Sequence, residues 1–337
     1  MEAELQSGLE AGQLRVRPLG QNDARGVAAL IAGLTRELGS RQGMTLEQTE
    51  QLFATPWLDG GMGLILEQGS DVAGYGFTRP SRWKGKDTIQ VGLNLKRGYR
   101  SRETHAILTD PLLEAAIELA RQHKVDNITI HMRGTDTVHP PVVLELGFQE
   151  HPVSMLGFRH DLEGIPSRPL PQGLALRQAR LPEESRTVLD LLDRAFDDRD
   201  RQGEPIADSY LEFVAGRSGF NPEQVLLVEN SVGPVAGTVI DVSAQGPAAG
   251  SSILQIGVLP DHRRRGIGSA MICRSLGWLK AQGARETRAG MFSSNVASTL
   301  FWRLGFRPDP QQTFRFFIRD AAVPHEHFRA AVAVAGV

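Results

Sequence analysis

Residues 252–281 read SILQIGVLPDHRRRGIGSAMICRSLGWLKA. An apolar strand candidate ends near Leu259, a proline and polar turn follows, and the three arginines at 263–265 precede Gly266-Ile267-Gly268. Beyond these glycines the apolar residues recur at helical spacing, so we predict a helix with one apolar face. The order strand, loop, helix is typical of an α/β protein.

This stretch predicts an anion site at the start of the helix. The first turn of a helix has backbone N–H groups without intrahelical partners and the positive end of the helix dipole. Glycines remove side chains that would keep a phosphate away from those groups, and arginines supply charge-assisted hydrogen bonds. We therefore expect a ligand that carries several phosphates.

Two common phosphate-binding motifs do not match the spacing. Six residues lie between Leu259 and Gly266, and Met271 stands at the third glycine position of a Rossmann fingerprint. Glu286 follows Gly266 by twenty residues, like the acid that binds a ribose in that motif, but it is an isolated match. The chain has no GxxxxGK[ST] segment, which excludes a P-loop.

Composition narrows the function classes. The chain has 337 residues, 41% of them hydrophobic and 23% charged, which excludes disorder as its main state. A net charge of −2 argues against nucleic-acid binding, and the single cysteine, Cys273, excludes internal disulfides and cysteine-based zinc clusters. No signal peptide and no apolar run of membrane-spanning length is recognisable, so we expect a cytoplasmic protein with no membrane partner.

The sequence contains two copies of one unit. The matching pairs are LRVRP (14–18) with LALR (174–177), GLILEQGSDVAGYGF (63–77) with VLLVENSVGPVAGTVI (225–240), IQVGL (89–93) with LQIGV (254–258), and Leu-Gly-Phe at 146–148 and 304–306. Residues 161–173 contain three prolines and two glycines, as expected of a connector. We predict one domain over 1–160, a linker over 161–173 and a second domain over 174–337.

Each copy orders its helix and strand candidates as a mixed α/β sheet with helices on its faces. In the first copy, Asp110-Pro111 has the residue types of a helix N-cap and first helical position. We predict that the helix matching 266–281 begins there.

The motif at 258–268 resembles the GCN5-related N-acetyltransferase (GNAT) family. The matching residues are Val258-Leu259-Pro260, Arg263 with Gly266 and Gly268, and the segment from Asn295 to Phe306. The resemblance spans both copies, about 14–160 and 174–318, in a layout like that of mycothiol synthases. It implies two tandem GNAT-like domains, each a mixed, mostly antiparallel sheet flanked by helices, with acetyl-CoA as acyl donor and no metal.

The resemblance also implies the cofactor site. The sheet would splay beside strand 252–259, and the backbone N–H of Val258 would stabilise the tetrahedral oxyanion. The cofactor contacts implied in this way are Val258, Arg263, Arg264, Arg265, Gly266, Ile267, Gly268, Ser269, Asn295, Phe301 and Trp302.

The general base is less clearly marked. Family members often have a glutamate on the strand before Val258, where this chain has Gln255. Asp241 and Glu229 are the nearest carboxylates by topology, although surface or hairpin roles fit both equally well. Three acidic residues at 197–200, Asp197, Asp198 and Asp200, would attract a cationic acceptor or form a solvated loop.

The tyrosine that protonates the leaving thiolate in many relatives has no counterpart. Counting from the closing glycine or from Asn295 gives Phe301 or Trp302, and neither is an acid. Thiolate protonation would then rely on solvent, Ser294 or Ser298. Cys273 lies inside the helix and is interpreted as a core residue, so transfer to the amine would be direct.

The first copy has a different sequence at the anion loop. Aligning IQVGL with LQIGV without gaps places Ser101 and Glu103 opposite the two glycines. A carboxylate there would repel a diphosphate, so this cradle is predicted to be degenerate. The nearby cations Arg97, Arg100 and Arg102 leave open the binding of some other anion.

We therefore expect an acetyl-CoA-dependent N-acetyltransferase that acts on a primary amine of a small molecule or peptide in a ternary complex. Val258, Asp241 and Ser298 are the candidate catalytic residues. The alternative is a non-catalytic acyl-CoA-binding regulatory protein, because the strand carboxylate and the tyrosine are missing.

Overall fold

The computed structural model describes residues 14–37, 46–54, 58–83, 86–137, 139–196, 211, 220–242, 246–248 and 250–323. The chain forms two compact units: unit 1 comprises residues 1–152 and 314–337, and unit 2 comprises residues 153–313. Among the helices in these described ranges, none has the length and apolar character needed to cross a membrane.

The two copies of the repeat use strands and helices in the same order, except that α2 has no counterpart among the described residues of the second copy. The strands are β1 (Leu14–Pro18), β2 (Gly63–Gln68), β3 (Asp71–Trp83), β4 (Lys86–Leu95), β5 (Asn127–Arg133), β6 (Gln149–Glu150), β7 (Met155–His160), β8 (Ala175–Gln178), β9 (Val225–Glu229), β10 (Pro234–Val242), β11 (Ser251–Val258), β12 (Thr287–Phe292), β13 (Arg307–Pro308) and β14 (Phe314–Asp320). The helices are α1 (Ala24–Glu37), α2 (Leu46–Ala54), α3 (Arg102–His123), α4 (His139–Glu145), α5 (Ser185–Phe196), α6 (Ile267–Ala281) and α7 (Ser298–Arg303).

Both sheets are mixed and mostly antiparallel, as the sequence predicts. Unit 1 has the strand order β1-β2-β3-β4-β5-β14, and unit 2 has the order β8-β9-β10-β11-β12-β7. The pairs β4–β5 and β11–β12 are parallel. In each unit a long helix, α3 or α6, connects the two parallel strands, as a parallel connection requires.

The last strand of each copy pairs within the other unit. Strand β7 ends the first copy but pairs with β12, whereas β14 ends the second copy and pairs with β5. The compact units therefore end at residues 152 and 313 and differ from the predicted division at 161–173. Main-chain hydrogen bonds hold a strand in a sheet, and any extended segment can supply them, so the repeat pattern could not reveal this exchange.

Helix α3 does not begin at Asp110-Pro111. It begins at Arg102, and the side chain of Ser101 caps it by accepting a hydrogen bond from the Thr104 N–H at 3.1 Å. Pro111 lies inside the helix and removes one backbone hydrogen bond there. Burial of the apolar face outweighs this loss, since Leu108, Leu112, Leu113 and Ala116 are all fully buried.

A second repeated feature ties the first strand of each copy to its neighbours. In unit 1, Arg17 pairs with Asp23 at 2.6 Å and with Glu67 at 2.8 Å. In unit 2, the corresponding pairs join Arg177 to Glu184 and to Glu229, both at 2.7 Å. The same arginine bridge thus fixes β1 or β8 to the adjacent strand and to the segment before the first helix.

Candidate active site

The sheet of unit 2 opens between its two parallel strands. Strands β11 and β12 are in register only at Ser252 with Arg288 and at Ile253 with Ala289. On its other edge β11 stays paired with β10 as far as Val258. The edge of β11 from Leu254 to Val258 therefore faces an opening, which is the splay that the sequence predicts.

The pairing of β11 with β10 also fixes the direction of the Val258 N–H. Val258 lies opposite Ala236, and the next residue, Leu259, donates its N–H to the carbonyl of Val235 at 3.0 Å. In an antiparallel ladder this pattern makes Val258 and Ala236 a pair without mutual hydrogen bonds, so the N–H and C=O of Val258 point away from β10. Both groups consequently face the opening.

The loop after β11 combines a tight turn with two left-handed residues. Pro260–His262 form a 3-10 turn, and Arg264 and Gly266 have φ of 62° and 85°. Glycine adopts a positive φ without steric cost, whereas arginine does so at a cost of about 1 kcal/mol. Gly266 is the N-cap of α6, so the glycine lies where the backbone must reverse to enter the helix.

The start of α6 provides the backbone donors that an anion needs. The first intrahelical bond of this turn runs from the Ala270 N–H to the Gly266 carbonyl at 3.0 Å, which leaves the N–H groups of 267–269 without helical acceptors. A Cβ at Gly268 would lie 3.6 Å from Leu300 Cδ2 and 3.8 Å from Val258 Cγ2. Gly268 therefore lines a narrow space between β11, α6 and α7. The residues present fit a diphosphate held by main-chain N–H groups.

The three arginines have different environments. Arg263 is half-buried and donates from Nε to the Val258 carbonyl at 3.0 Å and from Nη2 to the Ala195 carbonyl at 2.9 Å. It therefore holds the loop to β11 and to the end of α5, a role that the sequence analysis missed. Arg264 and Arg265 are exposed, and Arg265 lies 3.4 Å from His262 Nδ1. These two guanidinium groups are the ones placed to meet an anion in solvent.

The candidate residues in α7 and in the turn before it include both surface and core positions. Asn295 uses its Oδ1 to accept the Ala297 N–H at 2.9 Å, which shapes the turn into α7, and the half-buried Ser298 begins that helix. Phe301 is 3% exposed and packs against Phe158 and Phe306. Trp302 is 54% exposed.

The expected contact between Phe301 and the cofactor is therefore wrong, because its ring belongs to the core. Helical periodicity turns Phe301 inward and leaves its neighbour Trp302 at the surface.

The candidate carboxylates do not converge on Val258. Asp241 lies opposite Ser252, six residues from Val258 along β11, or about 20 Å at the rise of a strand. Glu229 is held by Arg177, and Glu286 pairs with Arg288 at 2.8 Å. A direct proton transfer between Asp241 and a group at the Val258 N–H is thus excluded by the strand register. Asp197, Asp198 and Asp200 lie outside the described residues.

Cys273 lies in the core and not in the opening. It is 7% exposed on the buried side of α6, and burial raises the pKa of its thiol. A buried thiol with a raised pKa is a poor nucleophile. This agrees with its interpretation as a core residue.

At the strand end, unit 1 shows that the gapless alignment of IQVGL with LQIGV is shifted by two residues. At the helix start it holds, because Ser101 and Gly266 are both N-caps and Glu103 and Gly268 are both second helical residues. Arg100 donates from Nε to the Leu95 carbonyl at 3.0 Å, as Arg263 does to Val258. Each of these arginines lies five residues after the last residue of its strand, and this spacing is visible in the sequence. Helix α3 begins two residues after Arg100, whereas α6 begins four residues after Arg263. The second copy therefore has two additional residues, Arg264 and Arg265.

The start of α3 in unit 1 is also filled by side chains. Ser101 caps the helix with its own hydroxyl, and the exposed Glu103 follows in the first turn. His105, which is fully buried, contacts His139 at the start of α4 with ring centroids 4.1 Å apart. The position that matches His105 from the helix start is Ala270 in unit 2. Two imidazole rings thus close the helix junction in unit 1.

Comparisons with known proteins agree with this fold. Residues 186–306 match the model of the acetyltransferase (GNAT) family. A mycothiol acetyltransferase of Clavibacter michiganensis is 26% identical over 289 residues, covering 84% of this chain and 85% of that protein. A mycothiol acetyltransferase of Geodermatophilus obscurus is 24% identical over 298 residues, covering 86% and 94%.

Solved structures share the tandem arrangement. A GCN5-related N-acetyltransferase from Sphaerobacter thermophilus has a TM-score of 0.72 at 16% identity, covering 94% of this chain and 98% of that one. A tandem GNAT protein from the clavulanic acid biosynthesis pathway has a TM-score of 0.69 at 18% identity, covering 93% and 100%. At such identities the likeness establishes the fold.

The splayed sheet and the helix that begins at a glycine agree with the tandem GNAT fold of these solved structures. The family match over residues 186–306 and the mycothiol acetyltransferase relatives support a GNAT-type N-acetyltransferase with a mycothiol-synthase-like layout. Enzymes of this family use acetyl-CoA.

Proposed function

We propose that unit 2 transfers the acetyl group of acetyl-CoA directly to a primary amine within a ternary complex. The observation that carries this proposal is the Val258 N–H, which faces the opening of the sheet beside the start of α6. An N–H fixed in a strand is already oriented toward the position where negative charge develops during acyl transfer. Acetyl-CoA supplies the activated acetyl thioester when it is bound.

The geometry of the loop supports a set of cofactor contacts. The N–H groups of Ile267, Gly268 and Ser269 would hold the diphosphate, and Gly266 gives the backbone the turn that exposes them. Arg264 and Arg265 would neutralise phosphate charge from the solvent side. Arg263 acts as a positioning residue because it donates to the main-chain carbonyls of Val258 and Ala195.

The proton transfers involve few side chains of this chain. An ordinary ammonium has a pKa near 10, so the amine must lose a proton before it attacks. Since Asp241 lies about 20 Å along the strand from Val258, we assign the first proton to solvent in the opening. The half-buried Ser298, at the start of α7, is the candidate donor to the departing thiolate.

The acceptor is a small molecule with a primary amine. Because the two relatives are named mycothiol acetyltransferases, the acceptor of those enzymes is the first to test. Amino sugars, amino acid conjugates and peptide amines complete the panel.

Release of free thiol from acetyl-CoA, measured with each amine, tests the proposal. We expect turnover with at least one amine and a lower kcat, with little change in KM for acetyl-CoA, in Ser298→Ala. The exposed Ser294 is the other candidate donor, and Ser294→Ala should retain wild-type kcat if Ser298 is the donor. Saturable acetyl-CoA binding without thiol release for any amine would instead support the non-catalytic binding protein.

We further propose that unit 1 does not hold acetyl-CoA. Its helix start is capped by Ser101, bears Glu103 and is closed by the His105–His139 contact. Calorimetric titration should give one acetyl-CoA per chain. Two equivalent sites of comparable affinity would contradict this assignment.

A further inference from the structure

One side-chain contact occurs at the Leu-Gly-Phe motif of both units. In unit 2, Nε2 of His160, at the end of β7, lies 3.0 Å from the carbonyl oxygen of Leu304. In unit 1, Nε of Arg319, near the end of β14, donates to the carbonyl of Leu146 at 3.0 Å. The two leucines begin the two Leu-Gly-Phe segments. The strand that each unit receives from the other copy therefore binds this motif through one of its last side chains.

The glycine of each motif makes room for this side chain. Gly305 and Gly147 both have a positive φ, of 93° and 82°. A Cβ at Gly305 would lie 3.0 Å from Nε2 of His160, and a Cβ at Gly147 would lie 3.5 Å from Nε of Arg319. Glycine at position 305 thus permits both the backbone conformation and the close approach of the imidazole.

The partners of His160 fix the position of the proton on its ring. The carbonyl of Leu304 can only accept, so Nε2 of His160 carries the proton and donates. The N–H of Leu162 donates to Nδ1 at 2.8 Å, so this nitrogen accepts. Burial lowers the pKa of His160, which agrees with a neutral ring. Each ring nitrogen therefore has a main-chain partner.

The same group of bonds reaches α6, the helix of the proposed diphosphate site. Leu162 is fully buried with a φ of 60°, a conformation that is unfavourable for a bulky side chain. Its N–H bonds to His160, and its carbonyl accepts a hydrogen bond from Nζ of Lys280 at 3.0 Å. Lys280 lies in the last turn of α6, and Leu304 is the C-cap of α7. His160 and Leu162 thus connect the C-terminal ends of α6 and α7.

These two helices also meet beside the opening of the sheet. A Cβ at Gly268, in the first turn of α6, would lie 3.6 Å from Cδ2 of Leu300, so α7 forms a wall next to the backbone N–H groups. Helix α7 has only six residues, and a helix of that length is held in place by tertiary contacts. Phe301 anchors it in the core, and the bond from His160 to Leu304 fixes its C-terminal end.

We propose that His160 is a positioning residue for acetyl-CoA binding, because its bond to Leu304 keeps α7 beside the first turn of α6. This assignment rests on the proposed function of unit 2. A residue of the first copy thereby sets the cofactor affinity of the second copy.

Asparagine and glutamine at position 160 separate the two bonds of the ring. The amide of glutamine reaches the position of Nε2, whereas the amide of asparagine reaches only that of Nδ1. His160→Gln therefore keeps a donor for Leu304, and His160→Asn keeps an acceptor for Leu162 but loses the donor. Calorimetric titration of the full chain should show a Kd for acetyl-CoA that is roughly two- to tenfold higher in His160→Asn and near the wild-type value in His160→Gln. This range is the largest effect that one hydrogen bond can have on the population of the binding-competent arrangement.

The corresponding contact in unit 1 supplies the matched control. Arg319→Met removes the bonds to the carbonyls of Leu146 and Val323 but leaves the contacts of α7 intact, so the Kd for acetyl-CoA should not change. Equal Kd values for His160→Asn and His160→Gln, whether changed or unchanged, would overturn the proposal. An equal loss of affinity in Arg319→Met and His160→Asn would overturn it as well.

Hydrogen exchange of the α7 amides in the free protein gives a second readout that needs no cofactor. The N–H groups of Phe301 and Leu304 bond within this helical turn and should exchange faster in His160→Asn than in His160→Gln. Equal exchange rates would overturn the positioning role. A wild type that does not bind acetyl-CoA would contradict the proposed function, whereas the exchange rates would still decide whether His160 holds α7.

The wild-type ring provides a test if the variants do not fold. Long-range 1H–15N spectra of the full chain should show the Nε2–H tautomer of His160. The Nδ1–H tautomer would overturn the proposal, because Nε2 could then not donate to Leu304.

Discussion

Gly268→Glu is the sharpest test of the diphosphate site. A Cβ at this position meets Leu300 and Val258 only at ordinary contact distances of 3.6 and 3.8 Å, so the backbone accommodates a side chain. A carboxylate in the first turn of α6 stabilises the free helix by about 0.3–1 kcal/mol through the helix dipole. The same carboxylate would meet a diphosphate with like charge, so the variant should fold normally and lose the cofactor.

The magnitude follows from ligand linkage. Acetyl-CoA at a hundred times its Kd stabilises the wild type by about 2.7 kcal/mol, or about 5–10 °C in Tm for a unit of this size. We expect no such shift in Gly268→Glu, measured by thermal unfolding with and without acetyl-CoA. Gly277, exposed on the same helix with no atom within 4 Å of an added Cβ, supplies the control Gly277→Glu, which should keep the full shift. Equal thermal protection in both variants would refute the placement of the diphosphate.

Three further predictions address the surrounding residues. Arg263→Lys should lower the free energy of unfolding of unit 2 by about 1–2 kcal/mol in urea, because lysine does not replace both bonds to Val258 and Ala195, whereas Arg264→Lys should change it little. Phe301→Ala should cost about 3–5 kcal/mol as a buried ring is lost, and Trp302→Ala clearly less; equal costs in urea unfolding would contradict the placement of Phe301 in the core. Burial lowers the pKa of His105 to about 3 and that of His131 to about 4, so below pH 6.5 the unfolded chain takes up protons that the folded unit excludes. Unit 1 should therefore lose about 2 kcal/mol per histidine between pH 7 and pH 5, and His105→Phe should remove about half of that dependence in urea unfolding at the two pH values.

The anion loop was predictable because its chemistry is local. A strand that ends before proline, a glycine at the helix start and exposed arginines are all visible within 30 residues. The repeat pattern likewise predicted two similar units with mixed sheets, because the order of strand and helix candidates can be read directly from the sequence. The spacing of Arg100 and Arg263 from their strands also marked the true alignment of the strand ends, although the similar pentapeptides IQVGL and LQIGV obscured it.

The candidate proton-transfer groups were not predictable in the same way. Asp241 lies on β10, the strand adjacent to the one that carries Val258. The antiparallel register nevertheless places Asp241 opposite Ser252, at the other end of β11. The count from Asn295 cannot decide whether Phe301 or Trp302 faces the core, because one residue changes the helix face by about 100°. Such assignments require the position of each element in the fold.

The sequence alone determined the fold class, the duplicated unit and the position of the helix start at Gly266, because backbone conformation and helix capping depend on neighbouring residues. Only the tertiary structure decided that β7 and β14 pair in exchanged units and that Arg263 reaches the carbonyl groups of Val258 and Ala195. Each of these results depends on contacts between residues far apart in the chain. Strand pairing and side-chain burial stabilise such contacts, and a local sequence pattern does not show which residues will pair or pack together.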